Sequence, residues 1–245
     1  MTMPSQPPSR RPMSTKSPAT RTEPKRRAAD LAYDRIETLI SQLKIMPGAA
    51  VVESEIAEMT QLGRTPVREA LMRMTTIGLI VKQPRRGLSV STIDVLDHLN
   101  LIDTRRALER LIAASSARHA SPEQRKNLVR CAEKMIKAGA IGKLDQYMSA
   151  DQNLDHVNHA ACANRSAVKA VVPLIVQCRR FWYRYQAEGE ISEGARFHMV
   201  LAEAIASGDE AQAADGASQL MDYLERFARR VIKVYPATQP PQEPA

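Results

Sequence analysis

The residues best suited to chemistry lie in one stretch, Gly63-Arg64-Thr65-Pro66-Val67-Arg68-Glu69-Ala70-Leu71-Met72-Arg73-Met74. Arginine and threonine at this density offer charge-assisted donors to phosphate oxygens and bidentate forks to guanine edges. Nucleic-acid recognition is the chemistry such a set performs, provided the guanidinium groups share an exposed surface. A helix supplies that surface. Thr65 reads as its N-cap, Pro66 as its first residue, and Glu69 as the partner closing a capping box. Val67, Leu71 and Met74 recur at helical spacing and form one apolar face. Arg64, Arg68 and Arg73 lie off that face, free to point outward.

The elements that must position this helix stand on both sides of it. Glu53 to Thr60 reads as a short helix and Gln61-Leu62-Gly63 as a tight turn, so the whole is a helix-turn-helix. Downstream, Gly78-Leu79-Ile80-Val81 and Leu88-Ser89-Val90-Ser91 are two β-prone runs. Lys82-Gln83-Pro84-Arg85-Arg86-Gly87 between them is a turn with three cations, which makes a hairpin with a basic tip, a wing. With Pro47-Gly48, Arg64-Thr65-Pro66-Val67-Arg68-Glu69-Ala70-Leu71, Gly78-Leu79 and Pro84-Arg85-Arg86-Gly87 on the page, residues 31 to 92 resemble the GntR family of bacterial regulators. The resemblance implies DNA binding by Arg64, Thr65, Pro66 and Arg68 in the major groove. It places Arg86 and Gly87 of the wing against the minor groove or phosphates.

The chain of 245 residues has room for one large or two modest domains, and its 44% apolar content suffices for real cores. The net charge is +8, and much of it stands in residues 1 to 28, where Arg10, Arg11, Lys16, Arg21, Lys25, Arg26 and Arg27 face the single acid Glu23. Rich also in Pro, Ser and Thr, residues 1–27 are expected to be a disordered basic tail. Cys131, Cys162 and Cys178 show no metal-finger spacing and are expected to be reduced thiols. No run approaches the ~20 apolar residues of a membrane span, and the N-terminal charges precede no apolar core of a secretory signal. A soluble, cytoplasmic protein with no membrane partner is expected.

Taken in order, Ala28 to about Leu43 forms the first helix, with Leu31, Ile36, Leu39, Ile40 and Leu43 on one face. Ala50-Val51-Val52 is a short strand or extended link, and the DNA-binding domain covers 28–92. From there only helical periodicity appears, with segments at 94–119, 122–139, 143–162, 165–187, 191–207 and 210–234. Ser121-Pro122-Glu123 and Ser207-Gly208-Asp209 punctuate them, and Pro173 interrupts the fourth. The fold class is mainly α: a winged helix-turn-helix followed by an all-helical domain over 94–234. Residues 235–245, rich in proline, form a second disordered tail.

The helical half resembles the FCD domain, the effector domain of the FadR-like branch of GntR regulators. The resemblance rests on Asp103-Thr104-Arg105-Arg106-Ala107-Leu108-Glu109 and on His198, Ala204-Ile205, Gly208-Asp209 and Ala213. Six helices point to the VanR-like subgroup. Such a domain implies a cavity for a small organic acid, often around a metal held by one Asp and three His. Carried over singly, Asp151 falls on the first ligand, with Asn164 fixing the register. Asp155 stands where the family has His, His198 matches the next ligand, and Leu220 falls on the last. Two readings follow. Asp151, Asp155 and His198 hold a divalent Mn, Fe or Zn together with waters, or the metal is lost and side chains alone hold the ligand. Arg105 would grip the ligand carboxylate; equally, it pairs with Glu109 at i+4. His156 and His159 read as surface or interface residues. Phe181, Trp182, Tyr183 and Tyr185 cluster with Arg179, Arg180 and Arg184 on the fourth segment, as the lining of a cavity or a dimer surface or, more commonly for such aromatics, as core packing.

Three functions compete. The first is a ligand-responsive regulator that binds a palindromic operator as a homodimer, with DNA and a small acid as partners. The second is a constitutive DNA-binding dimer without effector. The third is a metal-dependent hydrolase, against which stand the missing Ser or Cys nucleophile constellation, phosphate-cradling Gly loop and complete metal motif. No enzyme is expected.

Overall fold

The structure, a computed structural model, describes residues 27–186 and 190–235. The two expected tails fall on residues 1–26 and 236–245, outside the described residues, apart from Arg27 and Tyr235 at their edges.

The first unit comprises α1 (Ala28–Ser41), β1 (Ala50–Val51), α2 (Glu53–Thr60), α3 (Arg64–Thr76), β2 (Ile80–Gln83) and β3 (Gly87–Val90). Its strands form an antiparallel sheet in the order β1-β3-β2, with Gln83 opposite Gly87 at the hairpin end and Ala50 opposite Ser89. Ile36, Ile40, Ile56, Val67, Leu71, Met74, Leu79 and Val90 are buried together. The periodicity of α1 and α3 therefore points inward as expected. The strands reach further into the turn than the β-prone runs suggest: Lys82 and Gln83 pair in β2 and Gly87 joins β3, which narrows the turn to Pro84-Arg85-Arg86. Positive φ at Arg85 (62°) and Gly87 (80°) closes that turn, and only at Gly87 is such a φ free of a side-chain penalty.

The second unit contains α4 (His98–His119), α5 (Pro122–Ala140), α6 (Leu144–Ala161), α7 (Arg165–Tyr185), α8 (Glu190–Ser207) and α9 (Glu210–Val234). Four residues at the start of the first expected helix are not helical. Asp94 Oδ1 accepts the Leu96 and Asp97 amides at 3.0 Å each, and this local turn delays α4 to His98. The capping box of α5 is present, with Ser121 and Gln124 bonded reciprocally around Pro122. Asn164 caps α7 by accepting the Ala167 amide at 3.0 Å, and α7 runs through Pro173. Arg125 bridges three elements, donating to the carbonyls of Ala117, Ile205 and Ala206. The core of this bundle includes Ile102, Leu128, Leu154, Phe181, Leu201 and Phe227.

Helix α7 also joins the two units. Val176 packs in the core of the first unit. Arg180 reaches Ser91, just past β3, through its side-chain oxygen at 3.0 Å and through its carbonyl.

Candidate nucleic-acid interface and effector cavity

The proposed recognition helix α3 is built differently at its start from what the sequence suggests. Gly63, with φ −66° and ψ 157°, is the N-cap and makes no side-chain cap bond. Thr65 and Pro66 are consequently the second and third helical residues, and the expected capping box with Glu69 does not form. The left-handed residue of the helix-turn-helix is Gln61, at φ 54° and ψ 39°, rather than a glycine. Thr65 is exposed beside Arg64 at the helix start, where backbone N–H groups and the helix dipole also favour phosphate.

The arginines of α3 divide by their partners. Arg64 is exposed, as are Arg85 and Arg86 on the wing tip, and no ion pair within the described residues holds any of them. Arg68 is not free: its Nε lies 3.0 Å from both Glu53 carboxylate oxygens and its Nη2 lies 2.8 Å from Oε2. Arg73 is turned toward α1, with Nη1 2.8 Å from Asp30 Oδ1 and its guanidinium 4.5 Å above the Tyr33 ring. It braces α3 against α1 while its side chain stays half exposed.

The bundle brings together the residues that the family resemblance singles out. Asp151 and Asp155 lie one turn apart on α6, His198 on α8 and Arg105 on α4, all buried. His198 Nε2 is 3.0 Å from Asp151 Oδ1, and His198 Nδ1 is 2.7 Å from the Gly194 carbonyl. Arg105 pairs with Glu109 at 2.9 Å, as the helix-pair reading had it, and it also lines the cavity. The α9 residues at the cavity are Tyr223 and Leu224, while Leu220 packs in the bundle core. Gly194 is needed for close approach, since a Cβ there would stand 2.6 Å from Tyr147 Oη and 3.2 Å from Tyr223 Oη. Trp182 takes part as well, donating from Nε1 to Tyr223 Oη at 2.8 Å and stacking on Tyr147. Phe181 stacks on His98 in the core, at 3.6 Å between centroids.

At the centre stands Arg179, which the sequence offers only as one member of an aromatic and arginine cluster, with no role of its own. Its Nε donates to Asp151 Oδ2 at 2.6 Å, its Nη2 to Asp155 Oδ2 at 2.5 Å and its Nη1 to Glu37 Oε1 at 3.0 Å. Burial alone would raise the Asp151 carboxyl, yet the Arg179 charge and the His198 hydrogen bond hold it below the usual range. Burial pushes Glu37 up to about 7 against the pull of Arg179. For His198, burial works downward and the Asp151 hydrogen bond and charge outweigh it, so the imidazole is raised.

This donor set does not fit a metal. Asp151 gives one oxygen to Arg179 and the other to His198, and Arg179 also holds Asp155. Among the described residues no group of three His, Cys, Asp or Glu is placed to hold an ion. The arrangement suits the reading in which side chains alone hold a ligand. The cavity bounded by Arg105, Tyr147, Asp151, Arg179, Trp182 and His198 measures about 30 Å³, room for about one or two waters.

Comparison with known proteins agrees with this architecture. Residues 28–90 match the family model for bacterial regulatory proteins of the gntR family, and residues 100–223 match that of the FCD domain. The chain therefore belongs to the GntR family and carries an FCD domain. Among relatives, it is 27% identical over 142 residues to the HTH-type transcriptional regulator McbR of Escherichia coli, covering 57% of this chain and 60% of McbR. It is 30% identical over 135 residues to an uncharacterized HTH-type transcriptional regulator of Agrobacterium vitis, covering 54% of this chain and 78% of the other. It is 26% identical over 186 residues to a probable D-xylose utilization operon transcriptional repressor of Paenarthrobacter nicotinovorans, covering 74% and 80%. The solved structure of Escherichia coli McbR/YncC shares the fold, with a TM-score of 0.71 at 18% identity over 84% of this chain and 99% of that one. No helix among the described residues is long and apolar enough to cross a membrane.

Proposed function

We propose that this chain is a transcriptional regulator that binds a palindromic DNA operator as a homodimer, with α3 in the major groove and the wing beside it. The carrying observation is the exposed Arg64, Thr65, Arg85 and Arg86 on one helix-turn-helix and its wing, in a chain whose family is one of regulatory proteins. One recognition helix makes few contacts, and two related by a two-fold axis match half-sites about one helical turn apart. The repressor named among the relatives supports repression here, and a cytoplasmic location accompanies the reading.

A small organic acid entering the bundle cavity modulates the binding, with Arg105, Arg179 and His198 as the groups able to meet its carboxylate. A constitutive dimer is the second reading, favoured by the small cavity and by the Arg105–Glu109 pair. A thermal-stability screen against small carboxylates separates the two, because only a sensor gains stability from a ligand.

The DNA-binding reading is tested on a fragment selected by the full chain. Arg64→Ala and Arg68→Ala should each weaken binding by ~1–3 kcal/mol where the arginine reads a base. Unchanged affinity in both variants would remove α3 as the recognition element.

A further inference from the structure

Arg179 belongs to two sites at once. It lines the effector cavity, and it also touches Glu37, which is buried on α1 of the DNA-binding unit. Its guanidinium is a rigid planar fork, and each of its three nitrogens holds a different carboxylate. Two of those carboxylates, Asp151 and Asp155, sit one turn apart on the same helix. The third comes from the other unit. Asp151 is held in turn by His198 across the cavity wall.

We propose that Arg179 is a tethered cation gathering carboxylates of both units, and that its bond to Glu37 carries the state of the cavity wall to α1. The trigger rests on the effector reading above; the coupling is a property of the chain without ligand. A cavity of about 30 Å³ admits no organic acid unless its wall moves. An incoming carboxylate would bring a fourth acid to a guanidinium whose single charge already serves three, and that surplus of negative charge favours the release of one. Asp151 and Asp155 are fixed to each other by α6, which leaves Glu37 as the separable partner. Release of Glu37 loosens one tie of α1 to the bundle, beside the Thr38–Gln152 and Gln152–Glu37 contacts at 3.1 and 3.3 Å. Helix α1 carries α3 with it through the Asp30–Arg73 pair and the shared apolar core.

The test is hydrogen–deuterium exchange of the full chain without added acid, following the amides of residues 28–41. His198→Gln, which leaves the Asp151 charge wholly to Arg179, should speed their exchange by about threefold or more, and Asp151→Asn, which removes a competing acid, should slow it, since exchange reports local opening. In a Glu37→Gln background the same substitutions should add nothing, because the tie is already cut. Arg125→Met, which removes bonds to Ala117, Ile205 and Ala206 outside this chain of contacts, should leave α1 unchanged. His198→Gln keeps the test open should Asp151→Asn fail to fold. Unaltered α1 exchange, or an equal change in the Glu37→Gln background or in the control, would overturn the proposal. A failed acid screen would instead remove the effector reading and leave this result standing.

Discussion

Replacing Arg179 by Met keeps most of the side-chain volume and deletes the charge that three buried acids share. Arg179, Asp151 and Asp155 are each 8% exposed and Glu37 is 5% exposed, so water cannot take over the lost bonds. Breaking a buried ion pair by removing one partner costs about 3–5 kcal/mol. For a chain of this size that corresponds to a fall in Tm of roughly 10 °C. The loss should shrink under acid conditions, where the orphaned carboxyls take up protons instead of standing charged and unpaired. Combining Arg179→Met with Glu37→Gln, Asp151→Asn and Asp155→Asn should recover much of the stability, as polar but uncharged groups replace the whole cluster. Arg179→Lys should fall between, because an ammonium cannot span three acids in one plane. Denaturation followed by circular dichroism at pH 5 and pH 8 measures all of these. An Arg179→Met protein as stable as the parent at pH 8 would refute the reasoning.

Further expectations concern ions, protons and DNA. With Arg179 holding Asp151 and Asp155, purified protein should carry substoichiometric Mn, Fe or Zn, and a chelator should leave its Tm unchanged; one tightly held ion per chain contradicts that. Glu37 sits at about 7 when folded, above its ordinary value of 4.5, so the folded chain keeps a proton that the unfolded chain has released. Stability should fall as pH rises between those values and then level off, by on the order of 3 kcal/mol. Glu37→Gln should flatten that slope, although Arg179, Asp34, Asp155 and Gln152 all face the group. Glu53→Gln should free Arg68 and strengthen DNA binding if Arg68 contacts DNA, as gel-shift titration would show.

The fold was legible in the sequence where local chemistry decides it. Ser121, Pro122 and Gln124 mark the start of α5, and the edges of α5, α6 and α9 lie within a residue of where periodicity puts them. Legibility failed where a local competitor intervened. Asp94 drew two amides into a turn ahead of α4, and Gly63 took the cap that Thr65 seemed made for. Asp151, Asp155 and His198 do converge. The side chain that organises them was hidden, because Glu37 and Arg179 lie 142 residues apart and no spacing links them. The signal in the sequence is the cluster of Arg179, Arg180 and Arg184 with the aromatics of α7, since arginines on a buried helix require partners. The same limit applies to Arg68 and Arg73, whose acids stand on other helices.

Selection of bound fragments from a random DNA pool by the full-length chain tests the central claim most directly. The account predicts enrichment of an inverted repeat with half-site centres about one helical turn apart, lost when Arg64 and Arg86 are both changed to Ala. A pool that stays unenriched, or an enriched site that the double variant binds as well as the parent, would contradict it.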